Sequence, residues 1–183
     1  MRFDKIEDWA IIYNEDYANV NIGKVDAIIT DPLYDLETLD LTYLTNGNIL
    51  MFCKPENQYG IIADEYSFWI KTPSTKNYSK KCGRFVEIIL ILRGNCGAFN
   101  QLHWSQMTGV YDDRLIYKTE HPYQKPLSLM ERLVRIYTNE GDIVYDPFMG
   151  SGTTGLACKN LERKFVGCEI NPEYYEIALK KLK

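Results

Sequence analysis

The feature that most constrains the fold of this 183-residue chain is a series of short, almost purely apolar segments separated by stretches with helical spacing. Strands with one solvated face alternate apolar and polar residues, whereas strands buried on both faces read as continuous apolar runs and are typical of parallel sheets. We therefore expect an α/β fold with a doubly wound, mostly parallel sheet. The predicted strands are residues 9–13, 25–30, 48–53, 68–71, 84–93, 142–145 and 164–168, with 84–93 as the one antiparallel strand, and the predicted helices are 126–139, 153–161 and 172–183.

Charge and cysteine content narrow the possible classes of protein. The formal net charge of −4 excludes a strongly basic nucleic-acid binder but leaves room for a local basic face. The five cysteines form no CxxC pair, so reduced thiols are expected, without a zinc site or disulfide framework. We see neither a signal peptide nor an apolar run of ~20 residues, and therefore expect a soluble cytoplasmic protein with no metal and no membrane partner.

One basic segment stands out against the acidic background. Residues 71–84 (KTPSTKNYSKKCGR) contain five bases and no acid. A solvated loop and a phosphate-contacting loop are both compatible with this composition. If residues 84–93 return antiparallel to 68–71, the segment lies at the carboxyl edge of the sheet, where ligands bind in such folds. That position favours phosphate contact.

The strongest motif is YDPFMGSGTT at residues 145–154, where a strand meets a helix. Gly150 and Gly152 lack a Cβ, so a ligand can lie against the backbone, and the helix start at Thr153 offers N–H groups to an anion. No lysine follows the glycines as in a P-loop, and GxGxxG spacing is absent. Glu169 ends the next strand, where Rossmann-like sites hold a ribose diol. A ribose-binding acid beside a carboxylate-binding helix start points to S-adenosylmethionine (SAM).

A second motif, Asp31-Pro32-Leu33-Tyr34, follows the predicted strand 25–30. Alone it is weak evidence, because strands often end in Asp-Pro. Its chemistry nevertheless suits the exocyclic amine of a nucleobase, whose lone pair is delocalised into the ring. The Asp31 carboxylate and the Pro32 carbonyl could accept the two amine hydrogens and turn the lone pair toward a sulfonium methyl. Tyr34 could stack on a base taken out of the duplex.

Together these motifs resemble those of the β-class DNA amino-methyltransferases. The family's Asp-Pro-Pro-Tyr motif is matched by residues 31–34, its DPFxGSGTT motif by 146–154, and its His-Pro-x-x-Lys-Pro segment by 121–126. The catalytic motif precedes the cofactor motif, which is the order that defines the class. The resemblance implies a Rossmann-like SAM-methyltransferase fold, with SAM as cofactor and DNA as partner.

The resemblance also implies how one domain, residues 1–183, is divided. A catalytic half (1–94) precedes a reduced target-recognition segment (95–120) and a SAM-binding half (121–183). The middle segment is too short for an independent recognition domain. Relaxed sequence specificity, or help from a second copy or a separate specificity subunit, is therefore implied.

Site residues follow from the same resemblance. Besides the catalytic residues Asp31, Pro32 and Tyr34, cofactor contacts are implied at Asp16 (near the adenine), Lys125 and Ser128 (near the carboxylate), Asp146, Pro147, Phe148, Gly150, Ser151, Gly152, Thr153, Thr154, Glu169 and Asn171. Nucleic-acid contacts are predicted at Lys76, Lys80, Lys81, Arg84, Trp104 and Arg114.

Two observations qualify the predicted activity. Leu33 replaces the second proline of the family motif, which loosens the turn because proline would fix φ; a non-catalytic SAM- or DNA-binding subunit is therefore an alternative. Asp31 at the first position is more typical of N6-adenine members, and serine of N4-cytosine members. The leading prediction is methylation of the N6 amine of adenine in DNA, with N4-cytosine methylation and RNA or protein methylation as alternatives.

Overall fold

The computed structural model describes residues 1–33, 36–54, 58–71, 86–95, 99, 109–114 and 124–183. These residues form nine strands, three α-helices and two short 3-10 turns, Tyr17–Asn19 and Thr42–Leu44. The strands are β1 Arg2–Ile6, β2 Ala10–Asn14, β3 Ala27–Thr30, β4 Ile49–Cys53, β5 Glu65–Ile70, β6 Val86–Leu92, β7 Val110–Tyr111, β8 Ile143–Asp146 and β9 Lys164–Cys168. The helices are α1 Leu127–Tyr137, α2 Thr153–Asn160 and α3 Pro172–Leu182.

All nine strands belong to one sheet, in the order β1-β2-β9-β8-β3-β4-β6-β5-β7. Neighbours from β2 to β4 in this order pair in parallel, and β6 runs antiparallel between β4 and β5. The mostly parallel sheet and its antiparallel strand β6 are thus confirmed. A second antiparallel strand, β1, pairs with β2 and was missed by the sequence analysis. Its sequence RFDKI is largely exposed and therefore lacks the apolar run on which the strand predictions relied.

Alternate side chains of each central strand pack on opposite faces of the sheet. On β4, Leu50 and Phe52 belong to the cluster that contains the buried stripes of all three helices, including Leu133 of α1. Burial of one such leucine side chain stabilises the folded state by about 1.5–3 kcal/mol relative to leaving it exposed. The other face packs against irregular chain that contributes Leu39 and Tyr59. Both faces are covered, as expected: the three described α-helices pack on one face, and irregular chain packs on the other.

The topology brings the site together at one edge. The parallel strands β2, β9, β8, β3 and β4 all end there, and so does β5, because it is antiparallel to β6. The basic segment therefore leaves and re-enters the sheet at this edge, between Lys71 and Val86, as predicted; residues 72–85 themselves lie outside the described residues. No helix among the described ranges is long and apolar enough to cross a membrane.

Candidate active site at the carboxyl edge of the sheet

The strand ends enclose a cavity of about 860 Å³, which is in the range of small-molecule sites. Asp16 and Phe148 line it at the β2 side, and Lys71 and Glu87 line it at the β5–β6 side. Asp31 lies between them, after β3. The lining residues therefore come from the ends of several neighbouring strands, on both sides of β3.

The glycine-rich turn between β8 and α2 forms the middle of the cavity wall. Gly150 and Gly152 have φ of 51° and 76°, in the left-handed region that favours glycine. A Cβ on Gly152 would lie 3.1 Å from the Cβ of Ala178, so α2 begins close against α3. Thr153 and Thr154 are buried at this helix start. The turn thus presents bare backbone and the first N–H groups of α2, a combination that favours an anionic ligand group.

Asp146 ties three elements together below this turn. Its Oδ1 accepts hydrogen bonds from the Thr30 hydroxyl (2.7 Å) and the Phe148 N–H (3.1 Å), and its Oδ2 accepts one from the Thr154 hydroxyl (2.7 Å). The side chain is almost fully buried, and this burial raises its pKa from 3.8 to about 6 in spite of the three donors. The ionised Asp146 carboxylate therefore places a negative charge at the end of β8, and this buried charge lowers the stability of the folded chain.

Glu169 organises the neighbouring strand end. Its Oε2 accepts from the Gly150 N–H (3.0 Å) and its Oε1 from the Asn171 N–H (2.7 Å). Burial raises the pKa of this carboxyl, while the backbone donors oppose the rise. Asn171 in turn caps α3 by accepting from the Glu173 N–H (2.9 Å). A carboxylate oxygen has two lone pairs, so Glu169 can hold the turn and still accept from a diol.

At the β2 side, Asp16 begins a 3-10 turn and accepts from the Ala18 N–H (3.0 Å). The rings of Tyr17 and Phe148 pack with their centroids 4.9 Å apart. Both rings line the cavity, together with Asp16. This end therefore combines an acid with an aromatic wall, which suits a planar heterocycle that carries hydrogen-bond donors.

At the opposite side, the turn after β3 presents Asp31 and Pro32. Pro32 is buried, and its carbonyl oxygen lies 3.3 Å from the Tyr59 hydroxyl. Tyr59 is itself 1% exposed, has φ of 54° and also contacts the Phe52 carbonyl at 3.2 Å. The hydroxyl of Tyr59 thus fixes the Pro32 carbonyl while leaving that oxygen a second lone pair. Leu33 follows and is 57% exposed at the cavity mouth.

Asp31 also forms an ion pair with Lys125, whose ammonium lies 3.3 Å from Glu87 Oε2. Glu87 forms a second ion pair with Lys71. Burial lowers the pKa of Lys125, but the carboxylates of Asp31 and Glu87 outweigh burial and the pKa is raised. Burial likewise raises the pKa of Glu87, and the two lysines outweigh it so that the pKa is lowered. Four alternating charges therefore stand in a row at this end of the cavity.

Most of the sequence-predicted cofactor residues meet at this cavity. Ser128 does not line it: the side chain is exposed, and its hydroxyl donates to Asp113 instead (2.5 Å). Lys125 lines the cavity, but at the Asp31 end, where two carboxylates attract its ammonium. Arg114 is exposed after β7, whose carboxyl end shares this edge. The predicted residues that lie outside the described residues are Tyr34, Lys76, Lys80, Lys81, Arg84 and Trp104.

Sequence reasoning missed Tyr59 and Glu87, and it assigned Lys71 to the phosphate-contacting segment rather than to an ion pair at the cavity. Glu87 did carry a signal, since it is the only acid in the otherwise apolar run FVEIILIL at 85–92. A lone charge in a buried strand needs a partner, and that need could have led to a lysine. Tyr59 carried no such signal.

The comparison with protein families decides how this geometry is interpreted. The family model described as DNA methylase, of the N6/N4 type, matches residues 45–180, about three quarters of the chain. The chain belongs to the DNA methylase family. The match includes the glycine-rich turn, Glu169 and Lys125, but begins after the Asp31-Pro32 turn.

Similar proteins and solved structures agree with this assignment. A crystal structure of the M1.HpyAVI–SAM complex superimposes with a TM-score of 0.73 at 35% identity, covering 93% of this chain and 98% of the other. The type II methyltransferase M2.DpnII of Streptococcus pneumoniae is 46% identical over 82 residues, and the DNA adenine methyltransferase YhdJ of Escherichia coli is 50% identical over 62. These segments cover 42% and 34% of this chain, but only 31% and 21% of the two relatives. The similarity to the curated relatives is thus limited to a fraction of their length.

Proposed function

We propose that this chain transfers a methyl group from SAM to the exocyclic N6 amine of adenine in DNA. The observation that carries the proposal is that the Asp31-Pro32 turn and the glycine-rich turn with Glu169 open into one cavity. A methyl donor and an acceptor base bound at these two places would lie side by side. Family membership and the SAM complex of the similar structure support the same assignment.

The residues of the cavity fit SAM in chemical terms. Glu169 offers a carboxylate to the ribose diol, the start of α2 offers N–H groups to the methionine carboxylate, and Phe148 with Asp16 offers a stacking wall and an acceptor to the adenine ring. The buried charge of Asp146 lies beside this path and complements a ligand that carries ammonium and sulfonium charges. When bound, SAM supplies an electrophilic methyl group on sulfur, and sulfur keeps the electron pair of the broken S–C bond.

The acceptor half has to orient a weak nucleophile. The Asp31 carboxylate accepts one amine hydrogen and the Pro32 carbonyl, fixed by Tyr59, accepts the other. With both hydrogens directed, the nitrogen lone pair faces the methyl group and forms the new N–C bond, and the methylated nitrogen then releases one proton to solvent. Orientation of this kind contributes up to roughly 7–11 kcal/mol to barrier lowering. Tyr34 is proposed to stack on the flipped base, an assignment that rests on the sequence motif.

Adenine is the proposed base because Asp31 occupies the first motif position and because a relative matched over 62 residues is a DNA adenine methyltransferase. DNA is the proposed partner, contacted by the basic segment 71–84. A second copy of the chain or a separate specificity subunit is proposed to complete target recognition, since only residues 95–120 are available for it. The competing functions are N4-cytosine methylation, methylation of RNA or protein, and SAM or DNA binding without turnover.

Nucleoside mass spectrometry tests the proposal. Unmethylated DNA is incubated with the purified chain and SAM, then digested to nucleosides. N6-methyladenine supports the proposal, whereas N4-methylcytosine retains the site and contradicts the choice of base. Absence of any methylated base contradicts DNA methylation by this chain alone, and a parallel RNA and protein panel then identifies the substrate class.

A further inference from the structure

The row of four charges at the Asp31 end lines the cavity, and its two inner members are buried more deeply than the two at its ends. The side chains of Lys125 and Glu87 are each only 8% exposed, while those of Asp31 and Lys71, at the two ends, are 24% and 19% exposed. On its other side the Lys125 ammonium faces the rings of Phe52 (4.9 Å) and Trp69 (5.9 Å). Carboxylates and aromatic faces together therefore fix the position of the ammonium.

Stability alone does not account for this arrangement. Removing two charges from water costs several kcal/mol per ion, so that a well-packed apolar substitute for a buried ion pair is often neutral or stabilising by about 1–4 kcal/mol. Two apolar rings, those of Phe52 and Trp69, are buried beside the Lys125 ammonium. An ion-pair chain in such surroundings, ending on a carboxylate at the cavity, is better explained by what it does to that carboxylate.

We propose that Lys125, held by Glu87, is a positioning residue that fixes the orientation of the Asp31 carboxylate toward the acceptor amine. The inference rests on the proposed function and deepens it. Lys125 engages Oδ2 of Asp31 and thereby selects the rotation of the carboxylate about its Cβ–Cγ bond. This role differs from the one that the family resemblance implied, in which Lys125 lies near the SAM carboxylate.

Glu87 has a second task in this proposal. As the N–C bond forms, the attacking amine gains positive charge, and a lysine beside Asp31 opposes that charge. Glu87, with Oε2 3.3 Å from the Lys125 ammonium, compensates it, so that the row of Asp31, Lys125, Glu87 and Lys71 carries no net charge. The row thus fixes the acceptor carboxylate, which is the charge nearest the amine, without adding a net positive charge that would oppose the developing ammonium.

The test compares two shape-conserving variants, Lys125→Met and Glu87→Gln, with a matched control. Glu65→Gln removes a carboxylate from β5 that pairs with Arg93 (2.8 Å) at the opposite end of the same strand pair. Each variant is measured for single-turnover methylation at saturating SAM and DNA, for SAM affinity by calorimetry, and for Tm. A misplaced catalytic contact costs on the order of 10²-fold in rate.

We expect the rate constant of Lys125→Met to fall about 10²-fold and that of Glu87→Gln about tenfold, with SAM Kd within threefold of wild type. Lys125→Arg keeps the charge and should methylate faster than Lys125→Met but more slowly than wild type. The control Glu65→Gln should methylate at the wild-type rate. A parallel loss of SAM affinity in Lys125→Met assigns the lysine to the cofactor and overturns the inference. A wild-type rate in both variants assigns the ion pairs to structure alone and also overturns it.

Failure of the inference is distinguishable from failure of the proposed function. A wild-type chain that methylates no base contradicts both. An active wild type whose Lys125→Met variant is equally active contradicts only the role of Lys125. If Lys125→Met does not fold, Glu87→Gln decides, because glutamine keeps the shape of the side chain and removes only its charge.

Discussion

Replacing Asp146 with asparagine is expected to stabilise the fold at neutral pH. A pKa raised by burial from 3.8 to about 6 means that ionisation in the folded state is disfavoured by up to about 3 kcal/mol at pH 7. Asparagine removes this cost without losing a hydrogen bond. Its carbonyl oxygen can accept from Thr30 and Phe148, which both donate to the same oxygen, Oδ1. Its amide group can donate to the Thr154 hydroxyl, which rotates to accept.

The pH dependence has a defined sign. Because the folded-state pKa of Asp146 is raised, its contribution to stability is fully present below about pH 4 and is lost as the pH rises through about 6. The difference in free energy of unfolding between Asp146→Asn and wild type should therefore be near zero at pH 4 and grow to about 1–3 kcal/mol at pH 7. In a chain of this size each kcal/mol corresponds to roughly 2–4 °C in Tm.

Urea unfolding at several pH values, followed by circular dichroism, checks this prediction. Asp142→Asn is a suitable control, since Asp142 lies just before the same strand and is only partly buried. A variant that is less stable than wild type at pH 7, or a difference that does not change with pH, would refute the argument. Our account also predicts weaker SAM binding by Asp146→Asn. The negative charge of Asp146 destabilises the fold, but it attracts the cationic ligand, and asparagine lacks it.

Three further predictions concern separate parts of the site. Gly152→Ala is expected to destabilise the chain by about 1–2 kcal/mol, because alanine is strained at φ of 76° and its Cβ lies 3.1 Å from that of Ala178; thermal unfolding measures this. Asn171→Ala removes the cap of α3 and should cost about 1 kcal/mol in urea unfolding, while Asn171→Asp keeps most of it. Finally, glutamine at four positions of the basic segment should weaken DNA binding and flatten its salt dependence; the positions are Lys76, Lys80, Lys81 and Arg84. An unchanged slope of log Kd against log salt would mean that the segment is merely solvated.

The position of the site could be predicted because it depends on strand direction alone. Asp31, Asp146 and Glu169 each lie at or just after the end of an apolar strand, and parallel strands end at the same edge, so their convergence follows from the sequence pattern. The same argument placed the basic segment at this edge. Side-chain partners could not be predicted in this way. Lys125 and Asp31 are 94 positions apart, and whether the lysine reaches a cofactor or a carboxylate depends on how the chain before α1 packs against β3.

Two parts of the fold lie outside what apolar patterns describe, each for a local reason. β1 is an edge strand with an exposed, charged sequence, so burial leaves no pattern in it. Irregular chain that buries Leu39 and Tyr59 covers the second face of the sheet, and its sequence has no helical spacing. Apolar periodicity therefore predicted seven of the nine described strands and the three described helices, and it gave no signal where burial is achieved by irregular segments.

The central claim is that Asp31 orients the acceptor amine while the glycine-rich turn and Glu169 bind the cofactor. Measuring Asp31→Ala for both methyl transfer to DNA and SAM affinity tests this division most directly. Our account predicts loss of methylated base to background with SAM Kd within a fewfold of wild type. Equal loss of both activities would contradict the assignment of separate tasks to the two halves of the cavity, and retention of methyl transfer would contradict the role of Asp31.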